Sequence, residues 1–162
     1  MNCLIAYYTR TGNTEQVAKK IAEEVDADLE KIIDKKKRTG IIGWIRAGYD
    51  SVRGNLTEIE TIEKEPNKYD LIILGTPIWA GNPTPAIKTY ISDNKEAFKK
   101  IVLFTTSKGS NFQGALDEME TLSDKETVLK QGFIEKEIKQ NQIDIELNEF
   151  TSKIKEKIQP GN

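Results

Sequence analysis

Hydrophobic and polar positions alternate along this chain in blocks that predict strands and helices in turn. Short apolar or aromatic runs predict buried strands at residues 3–8, 29–33, 71–74, 101–105 and 127–134. Apolar residues at helical spacing predict helices at 14–25, 84–92, 143–158 and around Phe112, Leu116 and Met119. Strands that are apolar throughout need helices on both faces, which indicates a parallel sheet. We therefore expect an α/β fold, a three-layer doubly wound five-stranded parallel sheet, in one domain spanning residues 1–162.

One segment, residues 34–56, departs from this regular alternation. It opens with a basic run and continues with Ile41, Ile45, Tyr49 and Val52 at helical spacing. The simplest interpretation is a crossover helix packed on the sheet, with its basic run in solvent. An extra helix over the ligand-binding edge, or a surface for a partner or for anionic lipid, is the alternative.

Composition removes several classes of chemistry. The 162-residue chain has no histidine, which excludes a histidine general base and a Ser-His triad. Its one cysteine, Cys3, lies in an apolar run, which predicts a small, buried hydrophobic side chain. These two features also exclude histidine-ligated metals, thiolate zinc sites and iron–sulfur clusters, so we expect no metal site, and any redox chemistry has to come from a bound cofactor. We assign no catalytic side chain.

The formal net charge of −2 does not suit a nucleic-acid partner, which would require a clearly basic surface. No apolar run approaches the roughly 18–20 residues that cross a bilayer, so we expect no integral membrane segment. The amino-terminal residues lack the basic lead and cleavage site typical of a signal peptide, and we expect a cytoplasmic location.

The loop TRTGNT, at residues 9–14, joins the first predicted strand to the first predicted helix. Free backbone N–H groups and the positive end of the helix dipole would meet there, which favours an anion. The loop is neither G-x-G-x-x-G nor a P-loop, which disfavours a dinucleotide or a transferable γ-phosphate. Its four hydroxyl or amide side chains suit a terminal phosphate held by neutral hydrogen bonds. A polar turn without a ligand is the alternative. The candidate phosphate-binding residues are Thr9, Arg10, Thr11, Gly12, Asn13 and Thr14.

The stretch YTRTGNTEQVAKKI resembles the FMN-phosphate signature of the flavodoxins. The matching positions are Tyr7, Thr9, Gly12, Thr14, Ala18 and Ile21. Ala6 stands where that family usually has a larger apolar residue. The resemblance implies a flavodoxin-like fold, a non-covalently bound FMN and electron transfer. Arg10 adds a cation beside the phosphate. Its side chain either contacts the phosphate or points to solvent.

A second loop, TPIWAGNPTP at residues 76–85, carries no charged residue. It resembles the flavodoxin loop that runs along the flavin ring, and an exposed Trp79 would suit a flat ligand. In that family a glycine-containing peptide here can turn to bond the reduced ring, and Ala80–Gly81 is the candidate. The expected ring contacts are Pro77, Ile78, Trp79, Ala80, Gly81 and Asn82.

A third loop, TTSKGSNFQG at residues 105–114, follows the next predicted strand. It corresponds in order to the second flavin-flanking loop of the family, and its expected contacts are Thr106, Ser107, Lys108, Gly109 and Phe112. Phe112 either stacks on the ring or belongs to the core. Lys108, if it lies near the ring, would stabilise negative charge on reduced FMN and raise its potential; otherwise it faces water.

The leading functional prediction is an electron carrier that uses FMN and exchanges electrons with a redox partner protein or a small-molecule acceptor. The alternative on the same fold is an NAD(P)H-dependent quinone or flavin reductase, or an enzyme resembling the flavodoxin-like protoporphyrinogen oxidases. A non-redox interaction module is a further alternative. The near-balance of charge departs from the acidic surfaces usual among flavodoxins, and it leaves carrier and reductase both open.

Overall fold

The strongest apolar runs form the centre of a parallel sheet in the computed structural model, which describes residues 2–36 and 56–158. The strands in these ranges are Cys3–Tyr7 (β1), Ala27–Lys31 (β2), Leu71–Trp79 (β3), Asn82–Pro83 (β4), Lys100–Ser107 (β5) and Glu126–Ile134 (β6). Five of them follow the order β2-β1-β3-β5-β6, and β4 pairs with β3 in the antiparallel sense. The predicted five-stranded parallel sheet is confirmed, with β4 as a short addition.

Helices cover both faces of this sheet. They are Asn13–Val25 (α1), Pro85–Asn94 (α2), Gln113–Ser123 (α3), Glu135–Lys139 (α4) and Asp144–Ile158 (α5), with 3-10 helices at Pro66–Lys68 and Lys95–Ala97. Val17 of α1 and Phe150 of α5 share one core cluster with Phe104. Ile87 of α2 and Met119 of α3 share the other with Leu103. Since successive residues of a strand face opposite ways, β5 contributes to both cores and the fold has three layers.

The differences from the sequence prediction include the bounds of β2 and β3 and one additional helix. β2 ends at Lys31 because its register with β1 pairs Tyr7 with Lys31; Ile32 lies just beyond and donates its N–H to the Tyr7 carbonyl at 2.8 Å. β3 runs on to Trp79, so the first half of the predicted second loop is strand. The helix Glu135–Lys139 was not predicted, because its five residues are too few for a periodic signal.

The helix predicted from Ile41, Ile45, Tyr49 and Val52 lies outside the described residues. At the borders of that segment, Asp34 forms an isolated antiparallel bridge with Ile59. Within the described ranges, no helix combines the length and apolar character needed to span a bilayer. Cys3 is 2% exposed, as expected for a small core residue, and burial raises the pKa of its thiol.

Candidate functional site

The loop between β1 and α1 is shaped for an anion. Gly12 precedes the helix with φ 93°, a conformation that only glycine adopts readily, and its N–H donates to Thr9 Oγ1 at 3.0 Å. Within residues 2–36 and 56–158, no side chain caps the first turn of α1. Backbone N–H groups at a helix start have no partner inside the helix, so this end can donate several hydrogen bonds to one oxyanion.

Neutral side chains surround that helix end. Asn13 Nδ2 donates to Thr11 Oγ1 at 3.3 Å, which ties the loop to the helix start. Thr14 is 1% exposed and its Oγ1 lies 2.8 Å from Thr106 Oγ1 of β5. Hydroxyls and an amide are the donors that suit a phosphate bound without a large local charge. Arg10, which is half-buried, is the nearest cation in sequence.

A carboxylate also stands in the first turn of α1, where it would oppose a bound anion. Glu15 is held by Lys31 at 2.9 Å and by Lys19 at 3.0 Å. The hydrogen bond from Lys31, followed by that from Lys19, keeps the pKa of Glu15 below its usual range. Two ammonium groups therefore compensate this carboxylate at the edge of the anion site.

The second predicted loop is a tight hairpin. Trp79 of β3 pairs with Asn82 of β4, and Ala80 and Gly81 between them have φ 49° and 83°. Two consecutive residues of positive φ match the two-residue turn that favours right-twisted strands. Asn82 Nδ2 donates to the Ala80 carbonyl at 2.9 Å and so fixes the orientation of the 80–81 peptide.

Trp79 is half-buried rather than exposed. Its ring meets Tyr8 edge to face, with 5.6 Å between ring centroids and 86° between planes. Tyr8 is 7% exposed and its N–H donates to the Gly75 carbonyl at 3.0 Å, so β1 and β3 both hold the pair. The sequence analysis places Tyr8 in the first strand and not in the site; its position at the carboxyl end of that predicted strand is the signal that could have identified it.

The third loop begins later than predicted. β5 extends to Ser107, and Thr106 is fully buried within it, whereas Lys108 and Gly109 are exposed. No described residue forms an ion pair with Lys108. The Phe112 ring lies directly over Gly132 of β6, where an added Cβ would meet the ring at 2.0 Å. Phe112 packs against the core formed with α2 and α3.

The three loops meet at one edge of the sheet. Tyr7, Gly75 and Phe104 stand side by side in register near the carboxyl ends of β1, β3 and β5. A Cβ added to Gly12 or Gly81 would meet no atom of the described residues within 4 Å, so these residues leave open space beside both turns. An uncapped helix end, neutral donors and a half-buried indole beside that space fit a ligand that joins a phosphate to a flat ring.

The family model described as Flavodoxin matches residues 2–150. The chain belongs to the flavodoxin family. The resemblance found in the sequence is thus confirmed over nearly the whole chain, and so is the flavodoxin-like fold. None of the curated proteins compared with the chain matches it.

Two solved flavoproteins are similar to this chain. A Lactobacillus acidophilus flavoprotein in complex with FMN is 26% identical with a TM-score of 0.72, and the match covers 86% of this chain and 97% of the Lactobacillus chain. A Bacteroides uniformis flavoprotein is 27% identical with a TM-score of 0.70, and the match covers 86% of this chain and 96% of the Bacteroides chain. Megasphaera elsdenii flavodoxin is 17% identical with a TM-score of 0.59, and the match covers 93% of this chain and 98% of the Megasphaera chain. It shows the shared fold.

A concavity of about 520 Å³ lies between α2 and α3, and none of its described lining residues belongs to the three loops. Its lining residues are Leu56, Lys88, Lys95, Asp117, Glu118, Thr121 and Leu122. The side chain of Lys88 is 3% exposed, but its ammonium already pairs with Glu118 at 2.8 Å. Because this buried charge is compensated, the concavity offers no unpaired buried group among the described residues for a ligand.

Proposed function

We propose that this protein is a cytoplasmic electron carrier that works through bound FMN, with a redox partner protein or a small-molecule acceptor. The protein is an FMN-binding flavoprotein: it belongs to the flavodoxin family, and its Lactobacillus acidophilus relative is a flavoprotein solved in complex with FMN. The single observation that carries the proposal is the uncapped start of α1 at Gly12, which opens on the same sheet edge as the Trp79 hairpin.

Residues 9–14 hold the phosphate in this proposal. The N–H groups of the α1 start and the Thr9, Thr11 and Thr14 hydroxyls donate to its oxygens, with Asn13 in support. Arg10 adds positive charge, while Glu15 is kept from opposing the anion by Lys19 and Lys31. These interactions position the ligand by its phosphate end.

The ring lies against the hairpin and the third loop in this proposal. Trp79 provides a flat apolar surface, and Pro77, Ile78, Ala80, Gly81 and Asn82 contribute uncharged edges. Ser107, Lys108 and Gly109 approach from the other side. FMN, when bound, supplies the acceptance and release of electrons, and the protein supplies binding and electrostatics.

An electron carrier requires no catalytic side chain, because the flavin itself accepts and releases the electrons. The side chains expected at the site are hydroxyls, amides, an indole and two cations, and the histidine-free sequence is compatible with that role. The exposed Lys108 is the observation that favours the alternative, an NAD(P)H-dependent reductase, because a free cation beside the ring can hold an anionic substrate. The five parallel strands found in the described residues share one sheet, which supports a single domain for the chain.

The test begins with a titration of the flavin-free protein. FMN and riboflavin are added separately, and flavin fluorescence and absorbance are followed. We expect FMN to bind more tightly than riboflavin by at least about tenfold, because only FMN carries the phosphate that residues 9–14 would hold. Equal affinities would contradict the phosphate site, and no binding of either flavin would refute the proposal.

A second measurement separates carrier from reductase. The FMN-loaded protein is reduced stepwise with dithionite and, in parallel, mixed with NADH or NADPH in the presence of a quinone. A carrier should form a long-lived one-electron-reduced flavin and should not oxidise either nicotinamide beyond the rate of free FMN. Rapid turnover on the quinone would establish the reductase instead.

A further inference from the structure

The hydroxyl of Thr106 makes one contact that reaches the candidate phosphate site. Thr106 Oγ1 lies 2.8 Å from Thr14 Oγ1, across 92 positions of sequence. Thr106 is 0% exposed and Thr14 is 1% exposed. We infer that Thr106 is a positioning residue for phosphate binding: it acts through Thr14, whose hydroxyl it holds toward the phosphate. This inference rests on the proposed function.

The position of Thr106 in β5 explains why it would act indirectly. Side chains alternate along a strand, and Thr106 points to the same face as Val102 and Phe104, which pack in the core beneath α1. Thr106 is buried on that face and its hydroxyl contacts Thr14 in the first turn of α1, so it would act on the phosphate through Thr14. Among the described residues, Thr14 is the hydrogen-bond partner recorded for this hydroxyl.

The number of protons decides the direction of the hydrogen bond. Each hydroxyl has one proton to donate and two lone pairs that accept. If Thr14 donated to Thr106, it would have no proton left for a phosphate oxygen. When Thr14 donates to phosphate, Thr106 therefore has to donate to Thr14. The resulting chain runs from Thr106 through Thr14 to the anion, and each bond polarises the next.

The same contact joins two parts of the site that are distant in sequence. Thr14 belongs to the first turn of α1, and Thr106 is the penultimate residue of β5, just before the loop that contains Lys108. The third loop would thus take part in phosphate binding through one hydroxyl, although its exposed residues lie on the ring side.

The test compares flavins with and without phosphate. The variants are Thr106→Val, which keeps the shape and removes the hydroxyl, Thr106→Ser, which keeps the hydroxyl, and Thr14→Val. Exposed Thr61→Val is the matched control. We expect Thr106→Val to weaken FMN binding by about 5- to 20-fold, as expected for a lost hydrogen bond that supports a charged acceptor, and riboflavin binding by less than about 2-fold. Thr106→Ser should stay within about 3-fold of wild type.

A double variant tests whether Thr106 acts through Thr14. Thr14→Val combined with Thr106→Val should bind FMN within about 2-fold of Thr14→Val alone, since the relay is already lost. Losses that multiply in the double variant would overturn the inference. So would a loss in Thr106→Val that is equal for FMN and riboflavin, because a merely structural role weakens both.

The folded state of each variant is checked by circular dichroism and urea unfolding, and Thr106→Ala replaces Thr106→Val if the latter does not fold. The same selective loss of FMN binding is expected from it. Wild-type protein that binds neither flavin would refute the proposed function and this inference together. Wild-type binding of FMN with an unselective Thr106 variant would refute only the inference.

Discussion

Gly75 is the position where the structure makes the sharpest prediction about stability. It lies in β3 in register with Phe104 of β5, and the Phe104 ring covers it. A Cβ built on Gly75 would lie 2.1 Å from Phe104 Cζ, whereas ordinary contact begins at 3.4 Å. We expect Gly75→Ala to destabilise the protein because the ring would have to move by more than an ångström.

The magnitude follows from how little room the ring has. Phe104 is 0% exposed and packs edge to face on Phe133, with 6.4 Å between ring centroids. Overpacking of a filled core costs about 1–3 kcal/mol. Replacing glycine with alanine in a strand recovers roughly 0.5–1 kcal/mol of backbone entropy. The clash is the larger of the two, so the net loss should be about 1–2 kcal/mol in the free energy of unfolding.

Urea unfolding followed by circular dichroism measures this loss. With a slope of about 2 kcal/mol per molar, the midpoint should fall by roughly 0.5–1 M. Gly114→Ala in α3 is the matched control: its Cβ would find its nearest atom, the Gly81 carbonyl oxygen, at 3.9 Å. That variant should be neutral, or more stable by up to about 1 kcal/mol, because alanine favours helix.

A second core variant tests the cause. Phe104→Leu shortens the ring and should cost roughly 1–2 kcal/mol by itself. Combined with Gly75→Ala it should cost at least about 1 kcal/mol less than the two single losses together, because the clash is relieved. Additive losses, or a Gly75→Ala variant as stable as wild type, would refute the reasoning.

Two further predictions concern the phosphate loop and a half-buried carboxyl. Gly12→Ala places its Cβ in open space but keeps φ near 93°, so it should cost about 1–2 kcal/mol of strain and weaken FMN binding; Gly12→Asn, which tolerates such a φ better, should lose less. Urea midpoints and FMN titrations measure both effects, and an alanine variant equal to wild type would contradict the strain. Burial, with Glu137 nearby, raises the pKa of Glu146 above its usual 4.5. Its contribution to stability is therefore present below about pH 4.5 and lost as the pH rises through the folded-state pKa. Glu146→Gln should gain stability relative to wild type between pH 4 and pH 7, and a constant difference in urea midpoint across that range would contradict this.

The central strands could be predicted from the sequence because burial on both faces leaves an unbroken apolar run. Leu71–Leu74 and Ile101–Thr105 have that pattern, and the strands begin within one residue of it. The edge strand β2 is different: its pattern is mixed, and its register with β1 decides where it ends. A prediction from local pattern therefore missed its bounds by two residues at each end.

The site could be predicted only in part for the same physical reason. The turn at residues 9–14 is local, and its glycine and threonines are visible in the sequence. The Trp79 hairpin lacks the Asn-Gly signal of such turns and uses Ala80–Gly81 instead, so the sequence pattern predicts only a loop there. The pairing of Thr14 with Thr106 depends on how β5 lies beside α1, which no local pattern contains.

The buried thiol of Cys3 can report when the part of the sheet around β1 opens. It lies at 2% exposure at the start of β1, between β2 and β3, and it is the chain's one cysteine. A thiol reagent can therefore reach it only when this part of the sheet separates. Its labelling rate, with and without FMN, would measure how far the ligand suppresses opening of the central strands, without any introduced probe.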